Sequence, residues 1–269
     1  MSKTKVEIIY QDDDILVVNK PAGISVTKDR TGAAQLKDLL SAQLRLVHRL
    51  DKDTSGVMLL AKNVQAQTKF TAYFEKRQVK KTYLAIVTGF VSALQGTIDA
   101  SLTRDRKNTT LMCIAKKKGK ESVTNWRLLA DFGRVALLAV EPLTGRMHQI
   151  RVHLPRIGLP LAIDPLYGSS RPIFLSEFKS EYRLGVNQIE KPLIERLTLH
   201  AYQLSFRAKP EAQSRNLIDN SLNCPDCFVA RLDKKFAACL KMLTKYNPKG
   251  LNAFLNPDDF SKILNGDKL

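Results

Sequence analysis

The residues most able to do chemistry stand together at His48-Arg49-Leu50-Asp51-Lys52-Asp53-Thr54-Ser55-Gly56. Asp51 is surrounded by Arg49, Lys52 and His48, and nearby cations favour an ionised carboxylate. An ionised Asp on a loop between a helix and a buried strand could attack as a nucleophile or stabilise a positive transition state. The same residues also suit a solvated turn with local ion pairs. In Lys81-Thr82-Tyr83-Leu84-Ala85-Ile86-Val87, Tyr83 shares a strand face with Ala85 and Val87. A Tyr so placed either fills a core or offers its ring to a stacking base. In Thr144-Gly145-Arg146-Met147-His148-Gln149-Ile150-Arg151, His148 and Arg151 are three apart and share a helical face. Arg151, between Ile150 and Val152, is expected to be partly buried and to need an anion, either Asp51 or a ligand phosphate. Asp164-Pro165-Leu166-Tyr167-Gly168 reads as a turn with a structural use.

These segments need elements to hold them. Apolar spacing predicts strands over 6–10, 15–19, 57–61, 81–88, 112–115, 122–130, 135–141 and 198–206. It predicts helices over 33–45, 64–77, 145–157 and 227–246. Strands outnumber helices and do not alternate with them, which points to an α+β fold with a mixed, mainly antiparallel central sheet and flanking helices. The expected organisation is one catalytic domain over 1–215 and a mostly helical extension over 216–269, with 172–192 as a loop.

The chain has 269 residues, 44% hydrophobic and 26% charged, which excludes a wholly disordered chain and a disulfide-rich miniprotein. Its 43 Lys and Arg against 26 Asp and Glu give a formal charge of +17. Such an excess suggests a polyanionic partner, nucleic acid before an anionic membrane. The cations cluster at Lys76, Arg77, Lys80 and Lys81, and again at Arg104, Arg106, Lys107, Lys116, Lys117, Lys118 and Lys120. No apolar run nears the ~18 residues of a membrane span, and residues 1–14 carry no signal-peptide core, so a cytoplasmic protein is expected. Cys224-Pro225-Asp226-Cys227 lacks two further ligands at metal-site spacing, and no His follows Cys227. Structural or incidental cysteines are expected, with no metal.

Taken together and in order, these segments resemble the RluA-type family of RNA pseudouridine synthases. His48-Arg49-Leu50-Asp51 with Thr54-Ser55-Gly56 is similar to its catalytic loop, Lys81-x-Tyr83 to its tyrosine strand, and Thr144-Gly145-Arg146 with His148-Gln149-Ile150-Arg151 to its third motif. Leu199-His200-Ala201 with Leu204-Ser205-Phe206 is similar to its final core strand, and Ile15-Leu16-Val17-Val18-Asn19-Lys20-Pro21-Ala22-Gly23 near the start also matches. The resemblance covers about residues 6–207. With a first strand expected near Val6, the ribosomal-protein-like RNA-binding domain that many relatives carry before it is not expected within this sequence. Ile163 stands where many relatives have Gly, and Met147 where a small polar residue is common.

The resemblance implies isomerisation of uridine in ribosomal or transfer RNA. The base leaves the ribose, turns and rejoins through carbon 5, without cofactor or metal. Asp51 is the implied catalytic carboxylate, either attacking the anomeric carbon or first removing a sugar proton. Tyr83 is implied to stack on the base, Arg151 to pair with Asp51, and Arg49 to fill the space of the displaced base. His48, Thr54, Arg146, His148 and Leu199 are implied on the substrate side. Structured RNA is the implied partner of a monomer, with no membrane or protein partner. Two other readings compete: an RNA-binding or assembly factor whose catalysis is dispensable, and a glycoside-type hydrolase. The second calls for two carboxylates flanking the bond, and the cation-rich loop suits RNA better than neutral sugar.

Overall fold

The computed structural model describes residues 5–27, 35–185, 188–206 and 224–269. Strands β1 (Glu7–Gln11) and β2 (Ile15–Lys20) form an antiparallel hairpin. Its turn is closed by the Asp12 carboxylate, which accepts from the Asp14 and Ile15 amides at 2.8 and 2.7 Å. Helix α1 spans only Leu36–Leu40, shorter than the 33–45 expected, whose first two residues lie outside the described residues. The helix stops because Ser41 turns extended and competes for the backbone, its carbonyl accepting from Leu44 and its Oγ from Gln43. That releases Arg45–Leu46 as strand β3, antiparallel to β4 (Ser55–Ala61). Helix α2 (Val64–Glu75) begins at Asn63, whose side chain accepts from the Ala66 amide at 2.7 Å.

Strands β5 (Val79–Thr88), β6 (Gln95–Asp99), β7 (Leu102–Arg104), β8 (Met112–Ile114), β9 (Val123–Asp131) and β10 (Val135–Pro142) follow. Next come helix α3 (Gln149–Arg156), a 3₁₀ turn (Leu175–Glu177), strands β11 (Leu199–Phe206) and β12 (Cys227–Val229), and helices α4 (Lys234–Tyr246) and α5 (Asp258–Asn265). The helix expected over 227–246 thus starts later, at the cap Asp233, whose carboxylate accepts from the Lys235 and Phe236 amides, both at 3.0 Å. Residues 227–229 instead pair antiparallel with β11. The fold is mixed α and β with a mostly antiparallel sheet, as expected.

The chain divides into two compact units, Met1–Thr82 with Ala201–Ala230, and Tyr83–His200 with Arg231–Leu269. Strands β5 and β11 each run from one unit into the other. The boundary expected between 215 and 216 lies outside the described residues. Beyond it, β12 belongs to the first unit and helices α4 and α5 to the second.

In the first unit the strand order is β1-β2-β4-β11, with β3 on β4 and β12 on β11. Every residue of β4 is buried, the unbroken pattern of a strand covered on both faces. Phe206 packs edge-on against Phe70 and Phe228, at ring distances of 5.5 and 6.3 Å. In the second unit the order is β5-β10-β9-β6, beside the separate β7–β8 hairpin. Burial alternates along β9 from Val123 to Leu128, and Trp126, Leu128, Leu138, Ile150 and Leu154 share one core. The C-terminal segment joins this unit through Leu255, whose amide donates to the Leu129 carbonyl, and through Phe254, which packs on Phe132.

Gly56, just after the Asp51 loop, has φ +119, and a Cβ there would stand 2.1 Å from the Ala201 carbonyl oxygen. Both the dihedral and the close approach of backbones demand glycine. Gly56→Ala is expected to destabilise the protein by about 3 kcal/mol or more. Chemical denaturation checks this, and an unchanged midpoint would refute the tight contact.

Candidate active site

The loop after β3 is held from two sides. On one, His48 Nε2 accepts a hydrogen bond from the Leu59 amide of β4 at 2.9 Å. A proton on that nitrogen would face another donor, so the ring is neutral there. Burial first, and then the nearby Lys81 cation, push the His48 pKa down to about 3. The ring also stacks on Phe74 of α2, with centroids 4.4 Å apart and planes at 18°. Lys81 is itself lowered to about 8 by burial and by Arg77. His48, expected on the substrate side, is therefore anchored by partners inside its own unit.

On the other side stands Lys20, which is 0% exposed. Its ammonium donates to the carbonyls of Pro21, Ile24 and Lys52 at 2.9, 2.8 and 2.9 Å. The Gly23 amide also donates to the Lys52 carbonyl at 2.9 Å. The residue next to Asp51 is thus stapled to the turn after β2. Within the loop the Thr54 amide donates to the Asp51 carbonyl at 3.2 Å, and Thr54 is buried while Arg49 is exposed. Asp51 stands out in the sequence among its cations, whereas Lys20 does not. The available signal was a lysine ending an apolar strand and followed by Pro-Ala-Gly.

The second unit arranges the third and fourth segments around α3. The helix expected over 145–157 begins only at Gln149, because His148 takes φ +53 and ψ +20 and breaks the turn before it. Gln149 is buried and works as a hub. Its Nε2 donates to the Val123 carbonyl and Thr124 Oγ1, and its Oε1 accepts from Thr144 Oγ1 and the Arg146 amide, all between 2.8 and 3.0 Å. Arg146 Nε donates to the Glu121 carbonyl at 3.1 Å. His153 Nε2 donates to the Ala100 carbonyl at 3.0 Å and its Nδ1 meets Thr124 Oγ1 at 2.9 Å. Burial lowers the His153 pKa, in keeping with a neutral ring.

Arg151 is 2% exposed and finds an anion in Asp164, 1% exposed. Nε reaches one carboxylate oxygen at 2.9 Å and Nη2 the other at 2.7 Å, a bidentate pair of the kind that makes burial of a guanidinium tolerable. Asp164 also accepts from the Leu166 and Tyr167 amides at 3.0 and 3.2 Å. His148 Nδ1 lies 2.7 Å from the Tyr167 hydroxyl. His148 and Arg151 thus converge on one turn, read from the sequence as merely structural. Tyr83, paired with Val140 of β10, is partly buried against the unit's core, and Leu199, expected on the substrate side, lies within that core. Among the described residues no group of His, Cys, Asp or Glu is arranged to hold a metal, and no helix is long and apolar enough to cross a membrane.

His48 has a folded pKa below its unfolded value of ~6.5. The unfolded state then binds more protons between these values. Its contribution is complete above pH ~6.5 and is lost as pH falls toward 3. Unfolding free energy measured from pH 7 to pH 5 is expected to fall, at up to ~1.4 kcal/mol per pH unit from this group. His48→Gln, whose amide oxygen can take the Leu59 bond, should flatten that slope. Parallel profiles for the two proteins would show that His48 does not titrate in this way.

A family profile described as RNA pseudouridylate synthase matches residues 14–155. The chain is 34% identical over 215 residues to the ribosomal large subunit pseudouridine synthase D of Borreliella burgdorferi, covering 72% of this chain and 66% of that one. It is 36% identical over 194 residues to an uncharacterized RNA pseudouridine synthase of Zymomonas mobilis, covering 68% of this chain and 89% of that one. Among solved structures, human RNA pseudouridylate synthase domain containing 1 superposes with a TM-score of 0.59 at 29% identity, over 78% of this chain and 82% of that chain. The chain spans 66% of the Borreliella relative and 54% of a synthase D of Neisseria meningitidis that is 37% identical. A profile match over more than half the chain, carried through relatives of this similarity, leaves one conclusion: the chain belongs to the RNA pseudouridylate synthase family.

Proposed function

We propose that the protein is an RNA pseudouridine synthase acting on uridines in structured RNA, with Asp51 as the catalytic carboxylate. The observation that carries the reading is the family match over 14–155, the stretch that holds Asp51, Tyr83 and Arg151. The names of the Borreliella and Neisseria relatives, ribosomal large subunit pseudouridine synthase D, favour ribosomal over transfer RNA as the substrate. The formal charge of +17 supports a polyanionic partner. In this proposal the protein works as a cytoplasmic monomer without a cofactor.

The reaction breaks the N1–C1′ bond, turns the base, forms the C5–C1′ bond, and moves a proton from C5 to N1. Asp51 assists departure of the base, by attack on C1′ or by removing a sugar proton. Tyr83 stacks on the base, Arg49 fills the space it vacates, and Arg151, whose bidentate carboxylate partner is Asp164 rather than the expected Asp51, supplies a positive group of the site. His48 and Thr54 shape the Asp51 loop, while Arg146 and His148 lie on the RNA side. Extrusion of the uridine costs roughly a few kcal/mol, less in a loop than in a duplex. The basic clusters offset this through phosphate contacts.

Pseudouridine mapping across total RNA from cells with and without the gene tests the reading. A site lost on deletion is expected to return with wild type and not with Asp51→Asn. Asp51→Asn should abolish isomerisation and leave RNA binding within a few-fold, because it removes no phosphate contact. Full activity in that variant would overturn the role of Asp51. If no site is lost on deletion, the RNA-binding factor becomes the better reading.

Replacing Lys116, Lys117 and Lys118 with Ala should weaken RNA binding and reduce the salt slope of log K by about 2, at roughly 0.7–0.9 per phosphate contact. Titrations at three salt concentrations measure this. An identical slope would put the cluster off the RNA path.

A further inference from the structure

The turn at 164–167 contacts the site from three directions. Asp164 takes the Arg151 guanidinium in two hydrogen bonds. The Tyr167 ring lies 5.3 Å from the guanidinium carbon. The Tyr167 hydroxyl accepts from the Met112 amide at 2.8 Å and meets His148 Nδ1 at 2.7 Å. Met112 opens β8, which packs against α3 and belongs to the hairpin bearing Arg104, Arg106 and Lys107. One hydroxyl therefore touches both the residue before α3 and the base of a basic hairpin.

His148 is a non-glycine residue at φ +53. That conformation costs an L-residue roughly 1–2 kcal/mol and persists where the surroundings over-determine it. The Met112 amide can only donate, so it occupies a lone pair of the phenol. The phenol proton is then the group best placed to be given to the imidazole.

We infer that Tyr167 is a positioning residue for the isomerisation. Its hydroxyl donates to His148 Nδ1, fixes the neutral Nε2–H tautomer, and ties that residue to the basic hairpin. This rests on the function proposed above only for the reaction being positioned. The tautomer is inferred from the two contacts of the hydroxyl, independently of that function.

Tyr167→Phe keeps the ring beside Arg151 and removes only the hydroxyl. The test uses the full chain labelled with ¹⁵N, whose four His rings are resolved by long-range ¹H–¹⁵N spectra at pH 7.5. His148→Asn identifies the His148 signals, and Asn tolerates the left-handed backbone. Wild type is expected to show His148 as Nε2–H, and Tyr167→Phe to show a mixture with the Nδ1–H form. On total RNA from cells lacking the gene, the variant should lose about 10-fold in kcat with KM little changed and the melting temperature within a few degrees. In the His148→Asn background, Tyr167→Phe should cost nothing further.

An unchanged His148 spectrum in Tyr167→Phe overturns the proposal. So does full activity in that variant when wild type is active. A changed spectrum with wild type itself inactive on RNA supports the tautomer assignment and overturns the proposed function instead. If Tyr167→Phe melts early, the wild-type spectrum still decides: His148 as Nδ1–H overturns the proposal, and Nε2–H supports it.

Discussion

A guanidinium cannot leave water unless an anion meets it in good geometry. Arg151 is almost wholly buried, and Asp164 answers it with both carboxylate oxygens. Much of the second unit's local arrangement follows from that demand. The carboxylate reaches α3 only if 164–167 folds back as a tight turn, which it does by accepting from the Leu166 and Tyr167 amides. The turn in turn sets Tyr167 beside both His148 and Met112. One buried charge thereby orders a helix start, a loop and a hairpin.

The first unit meets the same problem with different chemistry. Its buried cation is an ammonium, and three backbone carbonyls surround it. An ammonium is a compact donor of three bonds, suited to converging carbonyls, where a planar guanidinium suits a carboxylate. In the same unit the His48 imidazole is kept neutral by burial and by the Lys81 cation, and it accepts from a strand amide. In both units the segments proposed to carry the chemistry are held by polar groups whose protonation their partners dictate. Such networks bind the backbone into one geometry when every member is satisfied. Among the described residues no buried side-chain nitrogen or oxygen is left without a partner.

Family membership and this geometry bear on different questions. The match over 14–155 joins the chain to RNA pseudouridylate synthases. The geometry explains how the loop with Asp51 and the helix with Arg151 are each supported within their own units. The segment after 224 takes part in both, as β12 beside β11 and as helices α4 and α5 of the second unit. It is therefore built into the fold that carries the family's motifs.

Local pattern alone was enough to find β4, α2 and β10, each within two residues of its observed ends, because an apolar run or a helical period fills most of the element. It was enough for the net charge, and for Asp51 as a carboxylate set among cations. Strand β6 was illegible, because Gln95-Gly96-Thr97-Ile98-Asp99 offers one buried apolar residue and becomes a strand by pairing with β9. The late start of α3 was illegible too, since the apolar period runs through His148 and its left-handed backbone opposes it. Sequence showed that Arg151 needs an anion but pointed to Asp51 or a ligand phosphate and not to Asp164, 13 residues away, which the fold brings to it. It passed over Lys20, whose acceptors are backbone carbonyls that no side-chain pattern announces. Composition and periodicity are properties of neighbouring residues, so they determined most of the elements and the net charge. The protonation of His48 and the anion of Arg151 depend on groups brought together only by folding, and the tertiary structure alone decided them.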